Sequence, residues 1–252
     1  MRHLLHQLRE QETISRPFSH ALMFARPLAA ALLALSVSTA ALADDAQADG
    51  FRSLFNGRDL SGWRAGRGGP PGKGWQVIDG ELVRTERGGD IYTEESFGDF
   101  VLELEFLTHG NSGLLFRKPD PANTLKDRLE IQIMPPRDGQ PSKHTCGSLY
   151  DCVAPSKEMC RKGEWNHLRL TSANRRIEVV LNGEKIIDVD LSDWTEAGKS
   201  ADGKPNKFIR PLRDLSSQRG HIGFQDHGAK VRYRNIRIKL LDDEPVEAPK
   251  AE

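Results

Sequence analysis

Charge of one sign is not in excess in this sequence. Lys and Arg together number 36 and Asp and Glu together 36, so no net charge draws the chain to nucleic acid or to an anionic membrane surface. Cysteine is scarce too. The three present, Cys146, Cys152 and Cys160, lack a second Cys or His pair at zinc-finger spacing, so a structural zinc is not indicated. At most one local disulfide can form among them, and Cys152–Cys160 is the favoured pair because it closes a short loop. No apolar run reaches the about 20 residues of a membrane span. Beyond the N-terminal segment no stretch carries the 3.6-residue apolar period of an amphipathic helix, which excludes a helical bundle. Hydrophobic residues still make up 37% of the chain and charged residues 29%, a balance that suits a globular protein rather than a disordered one.

The N-terminal segment reads differently from the rest. Arg26 follows Met23, Leu28 to Val37 form a short apolar run, and Ala41-Leu42-Ala43 supplies small residues at cleavage spacing. This is the pattern of a secretory signal peptide, with Asp44 as the mature N-terminus and a periplasmic or secreted location. Residues 1–22 precede a second candidate start at Met23, and no lipobox-type cysteine lies near the cleavage point. The expected organisation is therefore a removed segment over 1–43, one domain over 44–241 and a disordered acidic tail over 242–252.

From Trp75 onward the dominant period is two. Trp75 to Ile78 and Glu81 to Arg84 flank Asp79-Gly80, and Ile177 to Leu181 and Lys185 to Val189 flank Asn182-Gly183; both are hairpins by their turn chemistry. A turn is expected at Ala173-Asn174. Phe100, Leu102, Leu104 and Phe106 alternate with Val101, Glu103 and Glu105, a strand with one apolar face. Gly113 to Arg117, Arg128 to Met134, His221 to Gln225 and Val231 to Leu240 complete the set. Short strands with Gly and Asn turns predict an all-β fold, a two-sheet antiparallel β-sandwich. Residues 194–218 are polar and without period, and read as a long loop.

Six motifs in order carry a family resemblance. They are Phe51-x-x-Leu54-Phe55-Asn56-Gly57-Arg58-Asp59-Leu60-Ser61-Gly62-Trp63, Gly98-Asp99-Phe100-x-Leu102-x-x-Glu105-Phe106, Gly110-Asn111-Ser112-Gly113-x-x-x-Arg117, Leu129-Glu130-Ile131-Gln132-Ile133, Gly163-Glu164-Trp165-Asn166, and Ile222 to Gly228 running on to Arg234-Asn235-Ile236. Together they resemble the 3-keto-disaccharide hydrolase domain family, over about residues 50–241. The resemblance implies a concanavalin A-like jelly roll and an enzyme acting on 3-keto-glycosides, sugars already oxidised at C3. Met134-Pro135-Pro136 departs from the family pattern, where an acidic residue is expected.

Strand alternation offers several polar faces to a carbohydrate substrate. The candidate catalytic residues are Glu105, Glu130 and His227, and the candidate sugar contacts are Asn111, Arg117, Gln132, Gln225 and Arg234. Together Glu105, Arg117, Glu130, Gln132 and His227 are expected to converge on one concave face. The ketone makes the C2 hydrogen acidic, so His227 or Glu130 would act as base, Arg117 and Gln132 would hold the oxyanion, and Glu105 would serve as acid or orienter. Elimination of the aglycone followed by water addition gives net hydrolysis. A divalent metal held by Glu and His could polarise the ketone, although no HExxH spacing occurs.

Each candidate has a plainer reading. Glu103, Glu105 and Glu130 can be solvated strand carboxylates, Arg117 and Arg234 structural ion-pair partners, Asn111 a turn residue, Gln132 a solvent-facing filler and His227 a loop cap. Trp63, Trp75 and Trp165 read as core, whereas Trp194, in the polar loop, could stack on a sugar. A non-catalytic carbohydrate-binding module, a structural or adhesion domain, and a conventional glycosidase using Glu105 and Glu130 as its carboxyl pair remain alternatives. Mass spectrometry of exported material should find a mature chain beginning near Asp44; an intact N-terminus in the cytosol would refute the cleavage reading.

Overall fold

The computed structural model describes residues 49–122 and 127–241; the expected signal segment, its cleavage point and the acidic tail lie outside them. Thirteen strands and one short helix are present among the described residues: β1 Arg52–Ser53, β2 Trp63–Ala65, β3 Trp75–Ile78, β4 Glu81–Arg84, β5 Ile91–Phe97, β6 Phe100–Thr108, β7 Ser112–Lys118, β8 Leu129–Ile133, β9 Asn166–Ala173, β10 Arg176–Leu181, β11 Glu184–Asp190, α1 Leu212–Ser217, β12 Gly220–Phe224 and β13 Val231–Leu240. They form the two-sheet antiparallel sandwich that the alternation predicts. The larger sheet runs β11-β10-β9-β6-β13-β4-β3 with β1 beside β13, and the smaller runs β2-β5-β12-β7-β8.

Local chemistry accounts for the hairpins. Asp79 and Gly80 both have positive φ (53° and 79°), as do Asn182 and Gly183 (52° and 85°), the conformation that two-residue hairpin turns demand. The β9–β10 turn falls one residue beyond its expected position, on Asn174 and Arg175, at φ 47° and 67°.

The core lies between the sheets. Phe100, Leu102, Leu104 and Phe106 from β6 meet Leu114 and Phe116 from β7 and Leu129, Ile131 and Ile133 from β8. Phe224 stacks on Tyr233 at 3.9 Å and on Trp63 at 5.3 Å between ring centroids. The Tyr233 hydroxyl, buried in this cluster, is satisfied by Ser112 Oγ at 2.8 Å, which in turn donates to the Gln225 carbonyl.

Several expectations are corrected. Trp63 and Trp75 are core residues as expected, but Trp165 is half-buried with the Arg234 guanidinium over its ring at 4.0 Å. Trp194 is packed into the core rather than offered to a ligand. It and Phe208, Leu212 and Leu215 anchor the polar 194–218 segment, whose last turn is α1. Glu103 is not solvated: Arg169 and Arg237 each reach its carboxylate at 2.7 Å. All three cysteines are free thiols, and the neighbouring pair is Cys146 with Cys160 rather than Cys152 with Cys160. The Cys152 thiol donates instead to the Tyr150 carbonyl.

Arg117 is the largest correction. At φ 54° the β7 backbone turns left-handed, and the side chain, 1% exposed, enters the end of the sandwich instead of an outer face. There it donates to Ser172 Oγ and Ser172 O (3.0 Å each), Gln218 O (2.9 Å) and Asp99 (2.8 Å), tying β7 to β9 of the other sheet. Arg117→Ala should therefore cost about 3–5 kcal/mol of stability, as loss of one member of a buried pair does. Urea denaturation checks this, and an unchanged midpoint would contradict the clamp.

Candidate functional site

Alternation leaves two outer faces, one per sheet, and the candidate residues divide between them. On the larger sheet Glu105 receives Arg234 at 2.6–2.7 Å and Asn235 at 2.9 Å. Partial burial opposes ionisation of Glu105, but these hydrogen bonds outweigh it and hold the carboxyl below its usual range. A carboxylate locked in this way is poorly suited to donate a proton. Asn235 takes positive φ at the irregularity in β13, and the face carries a cavity of about 390 Å³ lined by Phe51, Glu103, Glu105, His167, Asn235 and Arg237 among others.

The smaller sheet carries a different chemistry. Leu129, Ile131 and Ile133 fill the core, so Arg128, Glu130 and Gln132 project outward. Glu130 is 3% exposed. On the adjacent strand β7 it packs against Gly113, the registered partner of Gln132, where a Cβ would stand 2.5 Å from Glu130 Oε1. Gly223 on β12 is likewise fitted to its neighbours, since a Cβ there would stand 2.5 Å from the Tyr92 ring. Leu115, the registered partner of both Gly223 and Glu130, stands between them on this face, and the two glycines leave the backbone uncovered only beside it.

Polar side chains ring this floor. Gln132 donates to Asn111 Oδ1 at 2.7 Å, and Arg128 donates to Asp90 and to the Tyr92 hydroxyl, both at 2.8 Å. Gln225 follows β12, with its backbone N–H on the Gly113 carbonyl at 3.0 Å. Among the buried side-chain polar atoms without a hydrogen-bond partner in the described residues, Arg128 Nε and Gln225 Oε1 lie here. Such unpaired groups are costly to bury and commonly belong to functional sites.

The β8 edge is covered by the chain that follows it. Gly147 N–H bonds the Gln132 carbonyl at 2.8 Å and Tyr150 N–H bonds the Glu130 carbonyl at 2.9 Å, which satisfies an otherwise open strand edge and brings Tyr150 beside Glu130. Asp151, paired with Lys143 at 2.7 Å, accepts the Lys207 backbone N–H at 2.9 Å. Lys207 Nζ then stands 4.1 Å over the Tyr150 ring and 3.6 Å from Glu130 Oε2. Burial raises the Glu130 pKa above the usual carboxylate range, with Lys207 and Arg128 opposing it. Burial also lowers the Lys207 pKa, with Glu130 opposing.

Glu130, Gln132, Asn111 and Gln225 therefore come together, while Glu105 and Arg234 lie on the opposite sheet and Arg117 lies inside. The expectation of one shared face is not met. A Glu105–Glu130 carboxyl pair is excluded as well, because the two sheets themselves pack about 10 Å apart and these groups point away from one another. His227 is exposed in the β12–β13 loop and makes no hydrogen bond or ion pair among the described residues. Its neighbour Asp226 pins that loop through Arg84 at 2.7 Å and the Gly88 and Gly89 N–H groups at 2.7 and 2.8 Å. No three His, Cys, Asp or Glu side chains gather as metal ligands among the described residues. Sequence reasoning missed Arg128, Tyr150 and Lys207. Arg128 was legible as the outward residue two before Glu130, whereas nothing local marked Lys207.

Comparison with known proteins agrees with this architecture. Residues 50–239 match the family described as the 3-keto-alpha-glucoside-1,2-lyase-like domain. A curated 3-keto-disaccharide hydrolase of Bacteroides thetaiotaomicron is 27% identical over 232 residues, covering 77% of this chain and 80% of that protein. Two solved structures of candidate glycosyl hydrolases from Parabacteroides distasonis superpose with TM-scores of 0.67. One is 30% identical over 76% of this chain and 99% of its own, and the other 29% identical over 79% and 97%.

The close approach of Gly113 to Glu130 is open to test. Gly113→Ala should displace the Glu130 carboxyl and cost about 1–3 kcal/mol, the usual penalty of overpacking. Chemical denaturation measures the loss; a variant as stable as the parent would show that the two residues are not in contact.

Proposed function

The chain belongs to the 3-keto-alpha-glucoside-1,2-lyase-like domain family and is a hydrolase- or lyase-like enzyme; we propose that it is exported and cleaves 3-keto-glycosides, 3-keto-disaccharides among them, on the outer face of the smaller sheet. The observation that carries this reading is the buried Glu130 carboxyl, raised in pKa and set against the bare backbone of Gly113. A base for carbon acids needs a pKa closer to neutrality than a solvated carboxylate has, and burial provides it.

In this mechanism Glu130 removes the C2 proton of the 3-keto sugar. The C2–H electron pair forms the C2=C3 bond of an enolate, and the ketone electrons move onto O3. Collapse of the enolate expels the aglycone oxygen from C1 and leaves a C1=C2 double bond conjugated to the ketone. The proton held by Glu130 passes to the departing oxygen. Addition of water across the new double bond completes net hydrolysis. Asn111, Gln132 and Gln225 supply amide donors and acceptors to the sugar hydroxyls, with Gln225 Oε1 already lacking a partner. Arg128, held by Asp90 and Tyr92, adds positive charge beside Glu130. The ketone provides the activation here, so the reading has no need of the second carboxyl of a conventional glycosidase.

Incubation of the purified protein with a 3-keto-disaccharide and with its unoxidised parent tests this directly. The keto sugar should be cleaved and the parent left intact. Glu130→Gln should lower turnover by at least about 10²-fold, and Glu105→Gln, on the opposite sheet, should leave it within about threefold, since no acid–base contribution is removed. Because Glu130 must be ionised to act and its pKa is raised, kcat/KM should fall as pH drops through a value above the ordinary 4.3 or so. Cleavage of the parent sugar at the same rate, or wild-type turnover by Glu130→Gln, would refute the proposal.

A further inference from the structure

Besides Arg128, the Glu130 site has a further cation that no motif contains. Lys207 belongs to the segment between β11 and α1, and three features of its surroundings place its side chain in the site. Its backbone N–H is fixed by Asp151 at 2.9 Å, its Nζ lies 4.1 Å over the Tyr150 ring, and the neighbouring Phe208 is buried in the core. The distance from Nζ to Glu130 Oε2 is 3.6 Å, longer than the about 2.7–2.9 Å of a tight charge-assisted hydrogen bond. The ammonium is thus oriented toward the carboxyl without being committed to it, and at 26% side-chain exposure it is the more accessible of the two.

We propose that Lys207 is a catalytic residue that holds the C3 oxygen of a 3-keto sugar as the enolate forms, with Glu130 taking the neighbouring C2 proton. This inference rests on the 3-keto-glycoside reading above and extends it to the group that receives the developing charge. In such a sugar the acidic hydrogen and the ketone oxygen sit on adjacent carbons. A base and a cation must therefore stand a few ångströms apart on one side of the ring, as Glu130 and Lys207 do. When a substrate enters, the ammonium exchanges one oxygen partner, the carboxylate, for another. As O3 gains negative charge the Lys207 interaction strengthens, which favours the transition state over the ground state. No covalent bond to Lys207 is formed, and its proton count is unchanged through the step.

Other charges bear on the ammonium. Glu130, Asp151 and the Cys152 thiol favour its protonation, while burial and Arg128 disfavour it; Lys143 and His144 meet it only through Asp151. The net effect lowers the Lys207 pKa, so the alkaline limb of kcat/KM should lie below the about 10.4 of an ordinary lysine.

The test uses the full-length protein, p-nitrophenyl 3-keto-glucoside for turnover, and methyl 3-keto-glucoside in deuterium oxide for exchange of the C2 hydrogen, followed by proton NMR. Lys207→Met should lower both turnover and C2 exchange by about 10²–10³-fold, the effect of removing one oxyanion donor. Lys207→Arg, which keeps a cation, should recover part of both and shift the alkaline limb upward, because guanidinium does not titrate in this range. Wild-type exchange in Lys207→Met would overturn the assignment while leaving the 3-keto-glycoside reading intact. If Lys207→Met is poorly folded, Lys207→Arg decides alone, and an unmoved alkaline limb would overturn the role. Borohydride trapping of a sugar on Lys207 would overturn it in favour of a covalent imine. A wild-type protein inert toward both sugars would instead remove the reading on which the inference rests.

Discussion

Each strand of a two-sheet sandwich has only two sides, and the shared core takes one of them. Every second residue of β6, β7, β8 and β13 is consumed by packing against the other sheet: Phe100 to Phe106, Leu114 and Phe116, Leu129 to Ile133, Val231 and Tyr233. Apart from Arg117, whose left-handed backbone breaks the alternation, the intervening side chains face outward, on one sheet or the other. This constraint separates Glu105 from Glu130, although both lie in strands with the same alternation. Residues serve one substrate only if their strands share a sheet, and no motif states which sheet a strand joins.

The two glutamates illustrate how surroundings, rather than residue type, determine chemistry. Glu105 lies among Arg234 and Asn235, which stabilise its ionised form and depress its pKa. Glu130 is taken out of water by the chain folded over the β8 edge, and the cost of that desolvation raises its pKa despite nearby Lys207 and Arg128. The first is a structural anchor of the β6–β13 pair. In the second, burial makes the neutral form easier to reach, which suits a group that must both take and return a proton.

Edge protection and site assembly are one event in this molecule. β8 ends the smaller sheet, and its open N–H and C=O groups would invite pairing with another chain. Residues 147–150 occupy them. The same wrapping presents Tyr150 to Glu130 and fixes Asp151, which in turn fixes Lys207. Charges buried in this way favour function over stability, since desolvating them is expensive. The compensating order comes from the aromatic stack of Trp63, Phe224 and Tyr233 and from the Arg117 clamp between the sheets.

The strands, their alternation and the hairpins at Asp79-Gly80 and Asn182-Gly183 were determined locally, by side-chain period and by the positive φ that those turn residues accept, and both are properties of a few adjacent residues. The outward direction of Glu130 and Gln132 followed from the same period. Tertiary structure alone decided that Arg117 turns inward, because a left-handed backbone at that residue breaks the alternation, and that Trp194 is core, because its loop folds back onto the sandwich. It also decided that Lys207 meets Glu130. The two are separated by most of the second half of the fold, and no periodicity or spacing connects them. Only the hydrogen bonds that bring the 147–151 segment onto β8, and Lys207 onto Asp151, close that distance.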